Sequence, residues 1–252
     1  MKYKFKSIRR KIDDLNVPFM SKLFSHPVAV VLVYILANFF SFISPNMITW
    51  VSFVFRIGAF AGILVGEFVY AALFAYLAHL FDSSDGILAR TTGKTSKFGA
   101  ALDPLLDRIG YSMLFSILIL KLFALNMILE SFLVFIMFFM FFNELNFLET
   151  CSNYKEDVQF EGKNKLKSRM SQFKRLFSIP IVGKMIKGYV VLMAKLKINS
   201  IPSLIETYFV VFIIAPFFMF NYWLLVLGIV LYVPQFLFSL FRAVTTIRRL
   251  RD

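Results

Sequence analysis

The sequence predicts an all-α integral membrane protein with six transmembrane helices, an N-terminal interfacial helix, and both termini in the cytoplasm. Of the 252 residues, 59% are apolar and 17% are charged, whereas a soluble domain has about half and about a quarter. The mean hydropathy is +0.72, and 33 residues are phenylalanine. These values argue against a soluble enzyme.

Six apolar segments have the length of roughly 20 residues that a helix needs to cross a bilayer. They are 47–66, 69–87, 98–125, 127–148, 204–220 and 222–241. A seventh apolar segment, 27–43, is predicted to lie in the membrane interface, because its crossing would place the basic residues of 163–175 outside, against the positive-inside tendency. We therefore divide the chain into a basic N-terminal region with the interfacial helix, 1–46, and a six-span domain, 47–252.

The basic residues lie between the apolar segments. The chain has 28 Lys plus Arg against 15 Asp plus Glu, for a formal charge of +13. In a soluble protein this charge would suggest a nucleic acid partner, but its position here favours anionic membrane lipids and no nucleic acid. The polar stretch 150–200 is predicted to be a basic cytoplasmic segment between spans four and five.

Four aspartates lie where the second and third predicted spans approach each other. Asp82 and Asp85 are three residues apart and Asp103 and Asp107 are four apart, so each pair shares one helix face. Ionisable residues inside spans cost about 2.5–3.5 kcal/mol on insertion scales and usually serve function. An oxygen-only ligand set favours Mg²⁺ or Mn²⁺, and two such ions would suit a displacement at phosphorus.

Small and basic residues accompany these acids. Gly86 and Ala89 share the face of the first pair, and Gly99 precedes the second pair, which lets a nucleotide or a helix approach the backbone closely. Arg90 would bind a phosphate in bidentate fashion.

Two further polar residues lie within predicted spans, and the sequence leaves two interpretations of the role of each. Arg56 either faces the cavity, as a phosphate or acceptor contact, or pairs with Glu67 or another acid. His79 lies one turn before Asp82 and either supports the acids or is a packed, hydrogen-bonded histidine, which is the favoured reading.

The acidic region resembles a known family. Residues 82–107 read D-S-S-D-G-I-L-A-R-T-T-G-K-T-S-K-F-G-A-A-L-D-P-L-L-D, which is similar, without gaps, to the signature D-x2-D-G-x2-A-R-x8-G-x3-D-x3-D of the CDP-alcohol phosphotransferases. Residues 44–49, S-P-N-M-I-T, look like the Pro-Asn-x-x-Thr segment that opens the first span in that family. The six-span plan extends the resemblance over most of the chain.

The resemblance implies a function and a role for each matching residue. An alcohol hydroxyl would attack the phosphorus of a CDP-linked lipid, CDP-diacylglycerol in phospholipid synthesis, and release CMP. Asp82, Asp85 and Asp103 would hold two Mg²⁺ or Mn²⁺ ions, and Asp107 would touch a metal and act as general base. The residues that match donor-binding positions are Asn46, Thr49, Gly86, Arg90 and Ser96, with Ala89 and Gly99 providing space. A homodimer with its active site at the cytoplasmic face is implied as well.

The acceptor is less well defined by the sequence. The pair Asp107 and Arg108 resembles the Asp-Arg of family members that use inositol or inositol phosphate, and glycerol 3-phosphate is the other candidate. Candidate acceptor contacts are Arg108, Arg169, Lys174 and Arg175. The long segment 150–200 departs from the short connection expected in the family.

Three other functions compete with this one. An intramembrane prenyltransferase would need two well-separated Asp-rich motifs, and the chain has one cluster. A transporter with a cation site would show repeated halves with broken helices, and no repeat is visible. The third alternative is an inactive homologue, against which the intact acids and Arg90 argue.

Overall fold

The computed structural model describes residues 3–13, 17–40, 42–153, 193, 195–196, 199 and 202–251. Within these residues every element is a helix. In chain order the helices are α1 (Phe5–Asp13), α2 (His26–Phe39, preceded by a π-helical turn, Ser21–Ser25), α3 (Pro45–Val65), α4 (Phe68–Thr92), α5 (Lys97–Ala124), α6 (Ile128–Asn153), α7 (Leu204–Tyr208, continued by π-helical Phe209–Ile214 and 3₁₀-helical Ala215–Phe218) and α8 (Tyr222–Arg251).

All six predicted spans coincide with helices, which confirms the all-α class. In the described part of the chain, four helical stretches are long and apolar enough to cross a membrane, judged by length and composition. They are Ser21–Phe39, Pro45–Val65, Ile128–Asn146 and Tyr222–Phe241. Since the first of these contains most of the segment predicted to be interfacial, the six-span count and the surface position of 27–43 stay predictions. Helices α4 and α5 are not among the four, and they carry the aspartates.

Local signals fix both ends of α3. The Ser44 hydroxyl accepts a hydrogen bond from the Met47 N–H, and Pro45 occupies the first turn. The helix ends at Gly66, whose φ of +90° is in the left-handed region that glycine adopts without strain. The start of α3 therefore places Asn46 and Thr49 on its first turns.

The connection between α4 and α5 is short and capped on both sides. Helix α4 ends at Gly93, with φ +73°, and α5 begins after Ser96, whose hydroxyl accepts a hydrogen bond of 2.9 Å from the Gly99 N–H. Both helices pack mainly on α3 rather than on each other. Helix α3 is therefore the common packing partner of α4 and α5.

The apolar interior consists of two clusters. The larger one joins α3 to α8 and contains Phe115, Leu118, Tyr208 and Leu225, each fully or almost fully buried. The smaller one lies under α1 and α2 and contains Ile8. Dispersion and burial of these side chains hold the bundle together around the polar site.

One buried carboxylate that the sequence did not mark ties α6 to α8. Glu144, 6% exposed, accepts hydrogen bonds from the Tyr232 hydroxyl at 2.5 Å, the Gln235 amide at 2.8 Å and the Ser239 hydroxyl at 3.0 Å. Three donors satisfy an acid that would otherwise be costly to bury.

Candidate active site

Three of the four predicted acids converge in the structure. Carboxylate oxygens of Asp82 on α4 and of Asp103 and Asp107 on α5 all lie within 4.8 Å of one another. The four-residue spacing on α5 points its two acids toward the same side, and the short link returns that side to the end of α4. The expectation that the aspartates lie where the second and third predicted spans approach each other is therefore confirmed for these three residues.

The fourth acid, Asp85, is bonded instead to the start of α3. The Thr49 hydroxyl donates a hydrogen bond to Asp85 Oδ2 at 2.5 Å. Both residues are buried, with 7% of Asp85 and 6% of Thr49 exposed. Thr49, which the family resemblance assigns to the donor nucleotide, is here a hydrogen-bond donor to one of the acids.

Arg56 of α3 enters the acid cluster. Its Nη2 lies 2.9 Å from Asp82 Oδ1, with hydrogen-bond geometry, and 2.5 Å from Asp107 Oδ1 as an ion pair. The guanidinium also lies over the Tyr111 ring, 5.0 Å from its centroid. Of the two readings of Arg56, pairing with acids is the one observed, and the partners are the site's own aspartates rather than Glu67.

Two residues that the sequence did not single out belong to the surroundings of Arg56: Gly110 on α5, and Ser52 one turn earlier on α3. A Cβ built on Gly110 would lie 2.5 Å from Arg56 Cδ, so any side chain there would displace the arginine. Ser52 lies between Thr49 and Arg56 on the same face of α3 and is fully buried, and its hydroxyl has no hydrogen-bond partner among the described residues. An arginine amid an apolar helix, with Thr and Ser at helical spacing on its face, was the pattern that could have revealed this polar stripe.

Three predicted donor-binding residues meet at the link between α4 and α5. A Cβ built on Gly99 would lie 2.5 Å from Asn46 Oδ1 and 3.1 Å from Ser96 Oγ. The absence of a side chain at Gly99 therefore leaves room for the Asn46 amide. Ser96 has a structural role in addition, because its hydroxyl caps α5.

The remaining predicted residues are placed as follows. Gly86 lies beneath the exposed Arg90, since a Cβ on this glycine would be 3.2 Å from Arg90 Nη1. Ala89 is half-buried on the same helix, and Arg108 is exposed on α5 directly after Asp107. The proposed acceptor contacts Arg169, Lys174 and Arg175 lie outside the described residues, as does most of 150–200.

His79 is a packed histidine with a hydrogen-bond partner, as the favoured interpretation predicted. It is 3% exposed, its Nε2 lies 3.0 Å from the Ser21 hydroxyl, and its ring packs edge-on against Phe209. These contacts tie α4 to the turn before α2 and to α7.

The acid cluster fits a divalent metal ion. All three clustered ligands are carboxylate oxygens, the donor set of hard cations such as Mg²⁺ and Mn²⁺. Asp107 Oδ1 forms an ion pair with Arg56, but the cluster brings three carboxylates to this single guanidinium. The cluster thus carries more negative charge than Arg56 neutralises.

Apolar helices of spanning length, together with a half-buried, oxygen-only acid cluster, define a helical membrane protein with a candidate centre for phosphoryl chemistry. The chain belongs to the CDP-alcohol phosphatidyltransferase family, whose sequence profile matches residues 42–234. That range contains every described residue of the site.

Individual relatives match a shorter part of the chain. An archaetidylinositol phosphate synthase of Pyrococcus horikoshii is 37% identical over 76 residues, which are 30% of this chain and 40% of the relative. A phosphatidylinositol phosphate synthase of Corynebacterium glutamicum is 40% identical over 74 residues, 29% of this chain and 34% of the relative. A CDP-diacylglycerol–serine O-phosphatidyltransferase of Methanocaldococcus jannaschii is 40% identical over 60 residues, 24% and 30% of the two chains. The matched segments thus span well under half of these relatives.

Proposed function

We propose that this protein transfers a phosphatidyl group from a CDP-linked lipid donor, CDP-diacylglycerol, to a small alcohol with release of CMP. The observation that carries the proposal is the meeting of Asp82, Asp103 and Asp107 oxygens within 4.8 Å in a chain of the CDP-alcohol phosphatidyltransferase family. The relatives' names include phosphatidyl transfer and inositol phosphate lipid synthesis, and both fit this reaction class.

The four aspartates would hold two Mg²⁺ or Mn²⁺ ions. Such ions polarise phosphoryl oxygens and neutralise the charge that develops on them. Asp107 would take the proton of the acceptor hydroxyl, a role that requires a carboxylate within hydrogen-bond reach of that group. Its position beside Asp103 and Asp82 supports the assignment.

The donor nucleotide and diphosphate would bind beside the acids. Asn46, Ser96 and Gly99 lie together at the link between α4 and α5, where Gly99 is half-buried. At the end of α4, Arg90 would contact the diphosphate, with Gly86 leaving space under the guanidinium. Thr49 and Ala89 complete the donor-binding set that the family resemblance implies.

For the acceptor we propose inositol phosphate first and glycerol 3-phosphate second. Two of the three relatives are named as inositol phosphate lipid synthases. The exposed Arg108, directly after Asp107, would contact an acceptor phosphate. Arg169, Lys174 and Arg175 are further proposed contacts, and an anionic acceptor would suit their charge.

In the membrane we propose six spans, with both termini and the acid cluster at the cytoplasmic face, in a homodimer. The basic residues between the predicted spans support this orientation, because positive charge concentrates on the cytoplasmic side.

The test is CMP release by the purified full chain in lipid nanodiscs. CDP-diacylglycerol and Mn²⁺ or Mg²⁺ would be offered with inositol phosphate, inositol, glycerol 3-phosphate, serine, choline or ethanolamine in turn. We expect release with one acceptor and its loss in Asp107→Asn. Glu67→Gln is the matched control, since it removes an exposed carboxylate at the other end of α4 and should retain activity. No release with any acceptor would refute the proposal.

A further inference from the structure

Arg56 occupies a place in the acid cluster that its position in an apolar helix does not by itself explain. We propose that Arg56 is a positioning residue of this site: it serves as the resident counter-charge that holds Asp82 and Asp107 in one arrangement, both before and after a divalent ion binds. The inference rests on the proposed function only where it concerns the effect of Arg56 on turnover, because the effect of Arg56 on metal binding is measured separately.

The contacts show one guanidinium nitrogen joining acids from two helices. Nη2 lies 2.9 Å from Asp82 Oδ1 on α4 and 2.5 Å from Asp107 Oδ1 on α5. Because α4 and α5 pack mainly on α3 rather than on each other, this bridge from α3 connects them at the acids. It also sets the orientation of the two carboxylates, since both direct Oδ1 to the same nitrogen.

Burial makes this pairing necessary. The Arg56 side chain is 3% exposed, against 19% for Asp82 and 31% for Asp107. A cation removed from water requires a partner of opposite charge, and clustered carboxylates require a cation. The three clustered acids and Asp85 outnumber the single arginine, so divalent ions would supply the remaining positive charge. Arg56 and a metal ion therefore share the neutralisation of one cluster.

The surroundings hold the guanidinium at this place. The arginine stem passes Gly110, where a Cβ would come within 2.5 Å of Cδ, and the head lies 5.0 Å from the centroid of the Tyr111 ring. Both residues follow Asp107 closely on α5. The helix that carries the proposed base thus also provides the space and the ring that fix Arg56.

The first experiment compares thermal unfolding of the full chain with and without Mn²⁺. In Arg56→Met, which keeps the apolar stem, we expect a lower melting temperature without metal and a larger rise on adding Mn²⁺ than in the wild type, because the ion then supplies charge that Arg56 had supplied. Arg56→Lys should restore part of the wild-type behaviour. Lys121→Met is the control: this lysine donates to the Leu64 carbonyl at the end of α3, so its loss should leave the metal-induced rise unchanged.

Turnover gives a second measurement. With Asp82 and Asp107 no longer held together, we expect kcat for CMP release to fall about 10- to 100-fold in Arg56→Met, the range expected when a reacting group is misplaced. The KM for the CDP-linked donor should change less than about threefold. A role confined to folding would lower the amount of active protein and leave its metal response as in the wild type.

Gly110→Ala tests the same point with the arginine retained. The new methyl group would displace Arg56, so Gly110→Ala should enlarge the Mn²⁺-induced rise in melting temperature, as is expected of Arg56→Met. If Arg56→Met fails to fold, Gly110→Ala still provides the test. Gly58→Ala is the matched control, because its Cβ would meet the flexible Phe74 ring at 2.9 Å and not the acid cluster.

The outcomes separate the two proposals. A Mn²⁺-induced rise in Arg56→Met and Gly110→Ala no larger than in the wild type would overturn the role of Arg56, as would the absence of any metal response in all variants. A larger rise in these variants, with no CMP release by the wild type under any condition, would support the role of Arg56 and overturn the proposed function.

Discussion

Replacing Thr49 by valine separates two roles for this residue. The family resemblance places Thr49 against the donor nucleotide, whereas the structure has its hydroxyl donating to Asp85 Oδ2 at 2.5 Å. Valine keeps the shape and removes the donor. If the bond to Asp85 is the main role, Thr49→Val will change the dependence on metal and leave the KM for the donor nearly unchanged.

The size of the effect follows from burial and charge. A hydrogen bond to a charged group contributes about 1.5–3 kcal/mol, and polar contacts between membrane helices contribute about 0.6 kcal/mol on average, with a maximum near 1.7. Because Thr49 and Asp85 are 6% and 7% exposed, water will replace little of the lost bond. We therefore expect about 1.5 kcal/mol, which corresponds to about a tenfold rise in the Mn²⁺ concentration for half-maximal CMP release.

The assay is CMP release at varied Mn²⁺ with saturating donor, repeated at varied donor with saturating Mn²⁺. Thr49→Ser should restore the wild-type metal dependence. Thr207→Val is the control, because that buried hydroxyl donates to the Gly228 carbonyl and not to an acid of the cluster. A raised KM for the donor with unchanged metal dependence would refute the reasoning and return Thr49 to the nucleotide.

Two other substitutions test contacts elsewhere in the fold. Tyr232→Phe removes one of the three donors to buried Glu144 and should lower the free energy of unfolding by about 1–2 kcal/mol in detergent. The control is Tyr222→Phe on the same helix, which should leave the free energy of unfolding unchanged. Equal stability of the two variants would contradict the hydrogen bonds assigned to Glu144. Gly99→Ala would bring a methyl group within 2.5 Å of Asn46 Oδ1 and should raise the donor KM several-fold with the Mn²⁺ dependence unaltered, so an unchanged donor KM would separate Asn46 from the donor site.

The sequence predicted the features of the site that depend on local spacing. Asp103 and Asp107 share a face because they are four residues apart on one helix, and the short link brings Asp82 to them. The helical segments were predicted because each is a largely apolar stretch of about the length that crosses a bilayer. These features need no knowledge of how distant helices pack.

The features that were missed depend on packing between helices. The partners of Arg56 follow from α3 lying against both α4 and α5, which no spacing within α3 reveals. The same holds for Gly110, whose importance is visible only beside the arginine that passes it. Glu144 could be recognised as an intramembrane acid, but its three donors come from a helix about 90 residues later in the chain.

The order of the helices bears on how the chain enters a bilayer during synthesis. Helix α3 is synthesised before α4 and α5, and Arg56 alone in α3 would cost about 2.5–3.5 kcal/mol on insertion scales. Its first partner in the chain, Asp82, follows 26 residues later on α4. Helices α3 and α4 are separated only by Gly66 and Glu67, and they pack extensively on each other. Biogenesis should therefore favour their passage from the insertion machinery into lipid as one hairpin, with the ion pair already formed.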